Sequence, residues 1–560
     1  MERGSRIRDS YPTTSVFVVT AVILLGSAAP PARAQLCVLN EEQKLITSDA
    51  AGDDHFGSSV SMSVGRAVVG AWLADNAAGR TSGAAYVFRR ADNGTPLDPD
   101  DDFWVEEDKL TASNAVAGDL FGWSVSISGN RAVVGARFHN SAGARSGSAY
   151  VFRHNDNGTP LDPGDDFWVQ EDELAVSDPA AKVEFGNSVA ISGDRAIVGA
   201  FKDDGACLDP PNPDCDSGSA YVFRRDDRGT PENPNDDVWI QSAKLTASDM
   251  AEGDMFGMSV SISGGLALVG SWLDDDDGTN SGSAYVYRHD NNNTPSDPSD
   301  DFWVEEAKLT ASDAATFDEF GFSVSINNDR ALVGSWLDDD AGSLSGSAYV
   351  FRRDDGGTPS DAGDDFWVQE AKLTASDAAA GDEFGKSVSI IKGRAAVGSF
   401  EDDDACADDP DPDPNCDSGS AYVFRHDTNG TPNDPTDDFW VEIAKLTSSD
   451  TAAADFFGRV AIDDREVLVG SLDDEAGEDA GSLYIFSVAL EDNCPPEFEL
   501  GDCDLSGAVD LVDFQAFHDC MTGSGSGPVA PNCLCADFDE DQDVDLHDFA
   551  GFQLAFTTLP

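Results

Sequence analysis

Two stretches near the C-terminal end carry oxygen-bearing side chains at alternate positions. The first places Asp502, Asp504, Ser506, Asp510 and Asp513 around Gly507, and the second places Asp537, Asp539, Asp541, Asp545 and Asp548. Oxygens spaced in this way along a tight loop wrap a hard cation. The seventh position, Ala508 or Asp543, supplies a backbone carbonyl and the twelfth a carboxylate from a helix start. The chemistry is calcium binding, so Ca2+ is the expected cofactor. Each loop is followed by a similar run, Phe514-Gln515-Ala516-Phe517 and Phe549-Ala550-Gly551-Phe552, which reads as the apolar face of a short helix. One such loop arises easily by chance in an Asp-rich chain. Two of them, 35 residues apart with matching helices, do not.

Cysteines are the second reactive group. Ten lie beyond the N-terminal apolar run, an even number that points to disulfides in an oxidising compartment. Cys207 with Cys215 and Cys406 with Cys416 are short-range pairs in Pro/Asp-rich loops, and closing loops of that size stabilises by roughly 2–3 kcal/mol. Cys37 and Cys494 flank everything between them and are read as a clasp. Nothing in the spacing pairs Cys503, Cys520, Cys533 or Cys535.

Catalytic constellations are absent from the sequence. No nucleophile elbow, no His-Glu-x-x-His and no Cys-His arrangement occurs. His154, His289 and His426 share one repeat position and read as a variable surface site. Trp72, Phe201, Trp272, Trp336 and Phe400 also share one position, each followed by acids, as in Leu273-Asp274-Asp275-Asp276-Asp277. They either form an aromatic and acidic rim that could stack sugar rings or hold cations, or pack against neighbouring repeats.

The formal net charge is −72, with 106 acidic against 34 basic side chains, which repels phosphate backbones and anionic membranes and excludes nucleic acid as a partner. Arg3, Arg6 and Arg8, the apolar run Val16–Leu25 and the small residues ending in Ala32-Arg33-Ala34 have the pattern of a secretory signal over residues 1–34. That run is too short to span a bilayer, and no later stretch approaches the roughly 18 apolar residues a span needs. A secreted or cell-surface protein without a transmembrane segment is expected.

Whatever positions these groups must be built from a repeat. The dipeptide beginning at Phe56, Phe121, Phe185, Phe256, Phe320, Phe384 and Phe457 recurs every 64 or 65 residues, apart from two intervals of 71 and 73 that contain the short-range Cys pairs. Each unit carries four strand signals, in the fifth at Val304–Thr310, Phe322–Ile326, Arg330–Trp336 and Ser347–Arg352, with period-2 alternation and a minimal turn between the second and third. A four-stranded sheet cannot bury both faces alone. Seven units at this period predict an all-β, seven-bladed propeller over residues 35–490. A linker at 491–501 and a small α-helical calcium-loop domain at 502–560 complete the expected organisation. Six Trp-containing connectors, such as the one ending at Val105, read as links between blades. The Arg recurring after the turn, Arg66 to Arg465, reads as a partner for the loop acids.

Phe56-Gly57 with Gly70-Ala71, Phe121-Gly122 with Gly135-Ala136 and Phe185-Gly186 with Gly199-Ala200 resemble the FG-GAP repeat of integrin-α-type propellers. In the last four units Gly-Ser replaces Gly-Ala, and the Asp/Asn-rich calcium loop of that family has shrunk to a tight turn, so its calcium sites are not expected here. The C-terminal module resembles a type I dockerin, an EF-hand-like calcium module that docks cohesin domains; Gln542 departs from its usual turn Gly. These resemblances imply an exported, non-enzymatic binding or scaffold protein. Its partners would be an extracellular protein or glycan ligand and a cohesin-like docking partner. The alternative is an accessory to a polysaccharide-active hydrolase or lyase.

Overall fold

The computed structural model describes residues 41–487, less 92–101, 142, 160–162, 179, 205–214, 231–232, 293, 295–297, 359–362, 404–416, 430–434, 436–437, 451 and 474–479. The described strands form seven antiparallel four-stranded sheets, a seven-bladed β-propeller. In the first blade the inner strand is Phe56–Ser63, the second Arg66–Ala71, the third Ala84–Ala91 and the outer Phe103–Leu110. Among the described residues no helix is long and apolar enough to cross a membrane.

The blade is offset by one strand from the sequence unit. Val304–Thr310, expected to open the fifth unit, overlaps Phe302–Leu309, which is the outer strand of the blade before it. The Trp-containing connectors therefore run inside blades, from third strand to outer strand, and do not link blades. There are six because the seventh blade takes its outer strand from the other end of the chain. Glu41–Leu45 pairs antiparallel with Ser482–Ser487, from Glu41 opposite Phe486 to Leu45 opposite Leu483, and closes the ring. The period of a circular repeat is visible in a sequence, but its phase is set by which strand pairs with the chain terminus.

The Phe-Gly and Gly-Ala positions meet between blades. Phe121 is fully buried and packs tilted against Tyr150 and edge-on to Phe152 of its own third strand, with ring centroids 5.7 and 5.9 Å apart. Gly122, at φ +91°, presses its carbonyl against Gly70 of the preceding blade. A Cβ on Gly70 would lie 2.0 Å from that oxygen, and one on Gly122 would lie 2.1 Å from the Ala84 carbonyl. Backbone meets backbone there, and only glycine permits it.

Inner strands face a propeller's edge problem: their outermost N–H groups have no ladder partner. The Ser-Val-Ser-Ile-Ser pattern solves it. Val125, Ile127 and Gly129 donate their backbone N–H to the hydroxyls of Ser59, Ser61 and Ser63 one blade earlier, at 3.0–3.1 Å. The same stitch joins Ile191 to Ser126, Val260 to Ser188, Ile326 to Ser261 and Ile390 to Ser325. In the register of the ladder the seventh blade has Arg459, Ala461 and Asp463 at the serine places, so among the described residues its seam with the first blade lacks the stitch; there Arg459 donates from Nε to the Ser58 carbonyl instead.

Outer strands are tied by charge. Arg66 pairs with Glu107 at 3.0 Å, Arg131 with Glu171 at 2.9 Å and Arg330 with Glu370 at 3.1 Å, while the indole N–H of Trp168, Trp239, Trp367 and Trp440 donates to a glutamate of the preceding blade. In the seventh blade the place after the turn is Glu466, not Arg465; Glu466 is buried and accepts from the Trp104 indole.

Candidate functional site

The calcium loops at 502–513 and 537–548 lie outside the described residues, as do Cys37, Cys207, Cys406, Cys416 and Cys494. Cys215 is buried and disulfide-bonded, to a partner outside the described residues.

Among the described residues, four groups bring three metal-capable side chains together. Each already holds a cation. Lys308 Nζ sits 2.8, 3.0 and 2.5 Å from Asp249, Asp274 and Asp276, and Lys372 occupies the same place among Asp313, Asp338 and Asp340. A guanidinium takes the corresponding place in the histidine groups: Arg66 is 3.0 Å from His154 beside Glu107 and Asp166, and Arg330 is 3.3 Å from His426 beside Glu370 and Asp438. His154 and His426 are thus not surface positions; their side chains are 11% and 8% exposed and join neighbouring blades.

The expected aromatic and acidic rim divides. Its acids turn to the Lys groups, as when Asp274 accepts from Tyr285 at 2.7 Å. Phe201 and Phe400 are buried, and the aromatic rings pack across blades around one end of the central channel. That end opens on a cavity of about 300 Å³ lined by all seven inner strands. Around it the repeat abandons its own rule. The residue after each Phe-Gly is Ser58, Trp123, Asn187, Met258, Phe322, Lys386 and Arg459, different in every blade. The residue before it is His55, Leu120, Glu184, Met255, Glu319, Glu383 and Phe456, all held at φ +49° to +57°. Sequence reasoning passed over both positions, although their variation beside invariant Phe and Gly was the available signal.

These side chains form alternating rings and cations. Trp72 lies 5.0 Å from Trp123, and Arg137 stacks on Trp123 at 4.5 Å and faces Phe201 at 5.3 Å. On the opposite arc, Trp272 meets Phe322 at 5.5 Å and Phe322 meets Trp336 at 5.1 Å; Lys386 covers Trp336 at 4.6 Å and Phe400 at 5.5 Å, and Arg459 stacks on Phe400 at 3.8 Å. Glu184 accepts from Arg137 at 2.6 Å and from Lys202 at 2.8 Å. Lys386 contacts Glu383, with Glu401 3.7 Å away. Burial pulls the Arg459 guanidinium down to about 10, which leaves it charged at neutral pH.

Among the described residues the Glu319 carboxylate accepts from the Trp336 indole alone, at 2.8 Å, and burial lifts it to about 7. Its folded value lies above the unfolded one, so its contribution to stability is complete below about pH 4.5 and is lost as pH rises through 7. Urea midpoints measured between pH 5 and pH 8 should therefore fall less steeply in Glu319→Gln than in the parent. Parallel slopes would show that the carboxyl titrates normally.

A second departure sits in the second blade. In the six other blades the third-strand Tyr or its Asp partners meet a Lys. Here Glu173 replaces the Lys, Asn114 one Asp and His139 another. His139 is buried, bonds Asp119 at 2.9 Å and is raised by that bond; a basic type, His139, and an acidic one, Glu173, thus stand where the fourth blade has Asp274 and Lys308.

The FG-GAP repeat family matches seven segments, residues 39–88, 104–152, 168–223, 239–287, 303–351, 367–424 and 440–486. Each segment takes the outer strand of one blade with three strands of the next. No curated protein matches the chain.

Proposed function

The chain belongs to the FG-GAP repeat family, and from that membership together with the asymmetry of the channel mouth we propose that it is an exported, non-enzymatic binding protein. The observation that carries this reading is that the residue after Phe-Gly differs in every blade and that all seven of these residues line one end of one channel. A scaffold with no ligand has no reason to break its symmetry there. The two loops that lengthen the repeat begin at the same end, just beyond Phe201 and Phe400.

In this reading residues 1–34 direct export, and residues 502–560 form a calcium-ordered docking module for a cohesin-like partner. Cys37 and Cys494 clasp the closed ring: Glu41 lies opposite Phe486, so the segments leading to both cysteines leave the same end of one strand pair. Calorimetric titration of the full chain with calcium should show two sites, and the Asp502→Ala and Asp537→Ala variants should lose one each. Absence of calcium heat overturns the docking half.

The ligand half is tested on an array of extracellular glycans and peptides. Lys386→Ala should lose binding that Lys392→Ala, at the opposite end of the channel, retains. Equal binding by both variants removes the mouth from consideration. A second reading, an accessory to a polysaccharide hydrolase or lyase, starts from the raised carboxyls of Glu319 and Glu383. It requires polysaccharide turnover that Glu319→Gln abolishes.

A further inference from the structure

Arg459 is anomalous in a chain this acidic. Three other cations at the mouth, Arg137, Lys202 and Lys386, each have a glutamate partner. Arg459 donates from Nε to the Ser58 carbonyl at 3.1 Å and stacks on Phe400, but has no carboxylate partner among the described residues. A partly buried guanidinium without a counter-ion among the described residues is costly, and its remaining donors form a planar fork suited to a planar anion. Asn187, which lines the same cavity, is 6% exposed; its Nδ2 donates to the Met258 carbonyl while its Oδ1 has no donor among the described residues.

We propose that the channel mouth binds a single carboxylate carried on a sugar-sized ring, an acidic sugar of the uronate type, with Arg459 taking the carboxylate. Three properties of the site select this class. The cavity of about 300 Å³ lies at the small end of the range for ligand sites and admits one ring, not a folded segment. Glu184, Glu383 and Glu401 stand among the cations, so a singly charged carboxylate meets less repulsion than a phosphate dianion. The walls include the rings of Trp123 and Phe322 beside the hydroxyl of Ser58, giving an apolar surface for one face of a sugar and a polar group for its hydroxyls. The net charge of −72 does not decide the matter at short range, because at physiological ionic strength its field is screened beyond about 8 Å.

The inference rests on the mouth being the ligand site, and the two can fail separately. The full chain, held in chelator, is titrated calorimetrically with glucuronate, galacturonate, glucose and acetate. A uronate should bind at least about tenfold more tightly than glucose or acetate, and Arg459→Met should weaken it by at least about tenfold. Arg459→Lys should fall between, and Lys392→Met should match the parent. Melting curves accompany each variant; if Arg459→Met is not folded, Lys386→Met replaces it with the same expectation. Uronate binding indifferent to the mouth variants overturns the proposal, as does glucose binding as tightly as glucuronate. Acetate binding as tightly as glucuronate overturns the ring. If no uronate binds but a neutral array ligand is lost in Lys386→Ala, the carboxylate inference fails and the mouth remains the site.

Discussion

Placing alanine at Gly122 is expected to destabilise the propeller by about 3 kcal/mol or more, whereas alanine at Gly129 should cost about 1 kcal/mol. Both glycines have positive φ, +91° and +58°, so both lose conformational freedom when a Cβ is added. They differ in what the Cβ meets. At Gly129, in the turn between inner and second strand, nothing lies within 4 Å; at Gly122 the Ala84 carbonyl would be 2.1 Å away and the Ala71 amide 3.2 Å away. A carbonyl held in a ladder cannot retreat alone, so the two blades must separate. The same contact recurs at Gly186, Gly257, Gly321 and Gly385, where an added Cβ would lie 2.3 Å from a backbone oxygen. Urea denaturation of the full-length protein measures both variants. Similar midpoints for the two would mean that the contact between blades yields, and that the Phe-Gly motif is kept only for its backbone angle.

That contact explains why so much of the architecture was legible in the residues. Phe121 and Gly122 are demanded by packing that each blade repeats, so the demand recurs at a fixed period. The strands followed from the same regularity: Arg330–Trp336 and Ser347–Arg352 are found at Arg330–Ser335 and Ser347–Asp354. The blade phase was not legible, because the Trp-bearing connectors look alike whether they run within blades or between them. Only the pairing of Glu41–Leu45 with the last strand decides it, and that contact spans the whole ring. The mouth was half legible. Trp72, Trp272 and Trp336 drew attention as aromatics in a shared position, but their partners Trp123, Phe322 and Lys386 share a position with Ser58 and Asn187 and so looked like noise. Variation beside invariance marks a site only once the fold shows that all seven variants face one cavity.

The second large effect concerns closure. A chain beginning at Thr47 is expected to lose the cooperative unfolding of the parent and to associate. The missing segment is short, but it is the entire outer strand of one blade. Leu45 is 6% exposed and packs in one cluster with Phe56, Tyr86, Leu483 and Ile485; Gln43 exchanges two hydrogen bonds with the Trp104 backbone, at 2.8 and 3.0 Å. Removing it leaves the Ser482–Ser487 strand as a bare apolar edge, the kind of surface that recruits another chain. The seam beside it has no serine stitch to compensate, since Arg459, Ala461 and Asp463 stand where the first blade has Ser59, Ser61 and Ser63. Leu45→Ala should cost about 3 kcal/mol, while Lys44→Ala, which removes a largely solvated pair with Asp450 and a cation contact with the Tyr484 ring, should cost about 1 kcal/mol. Light scattering would reveal the association, and adding a peptide of residues 37–46 should restore the monomer and its urea midpoint. A monomeric chain from Thr47 with the parental midpoint would mean that six complete blades and three strands close the ring unaided. The burial of Leu45 argues against that outcome, because ring closure is a long-range contact whose entropic cost must be met by the strand that makes it.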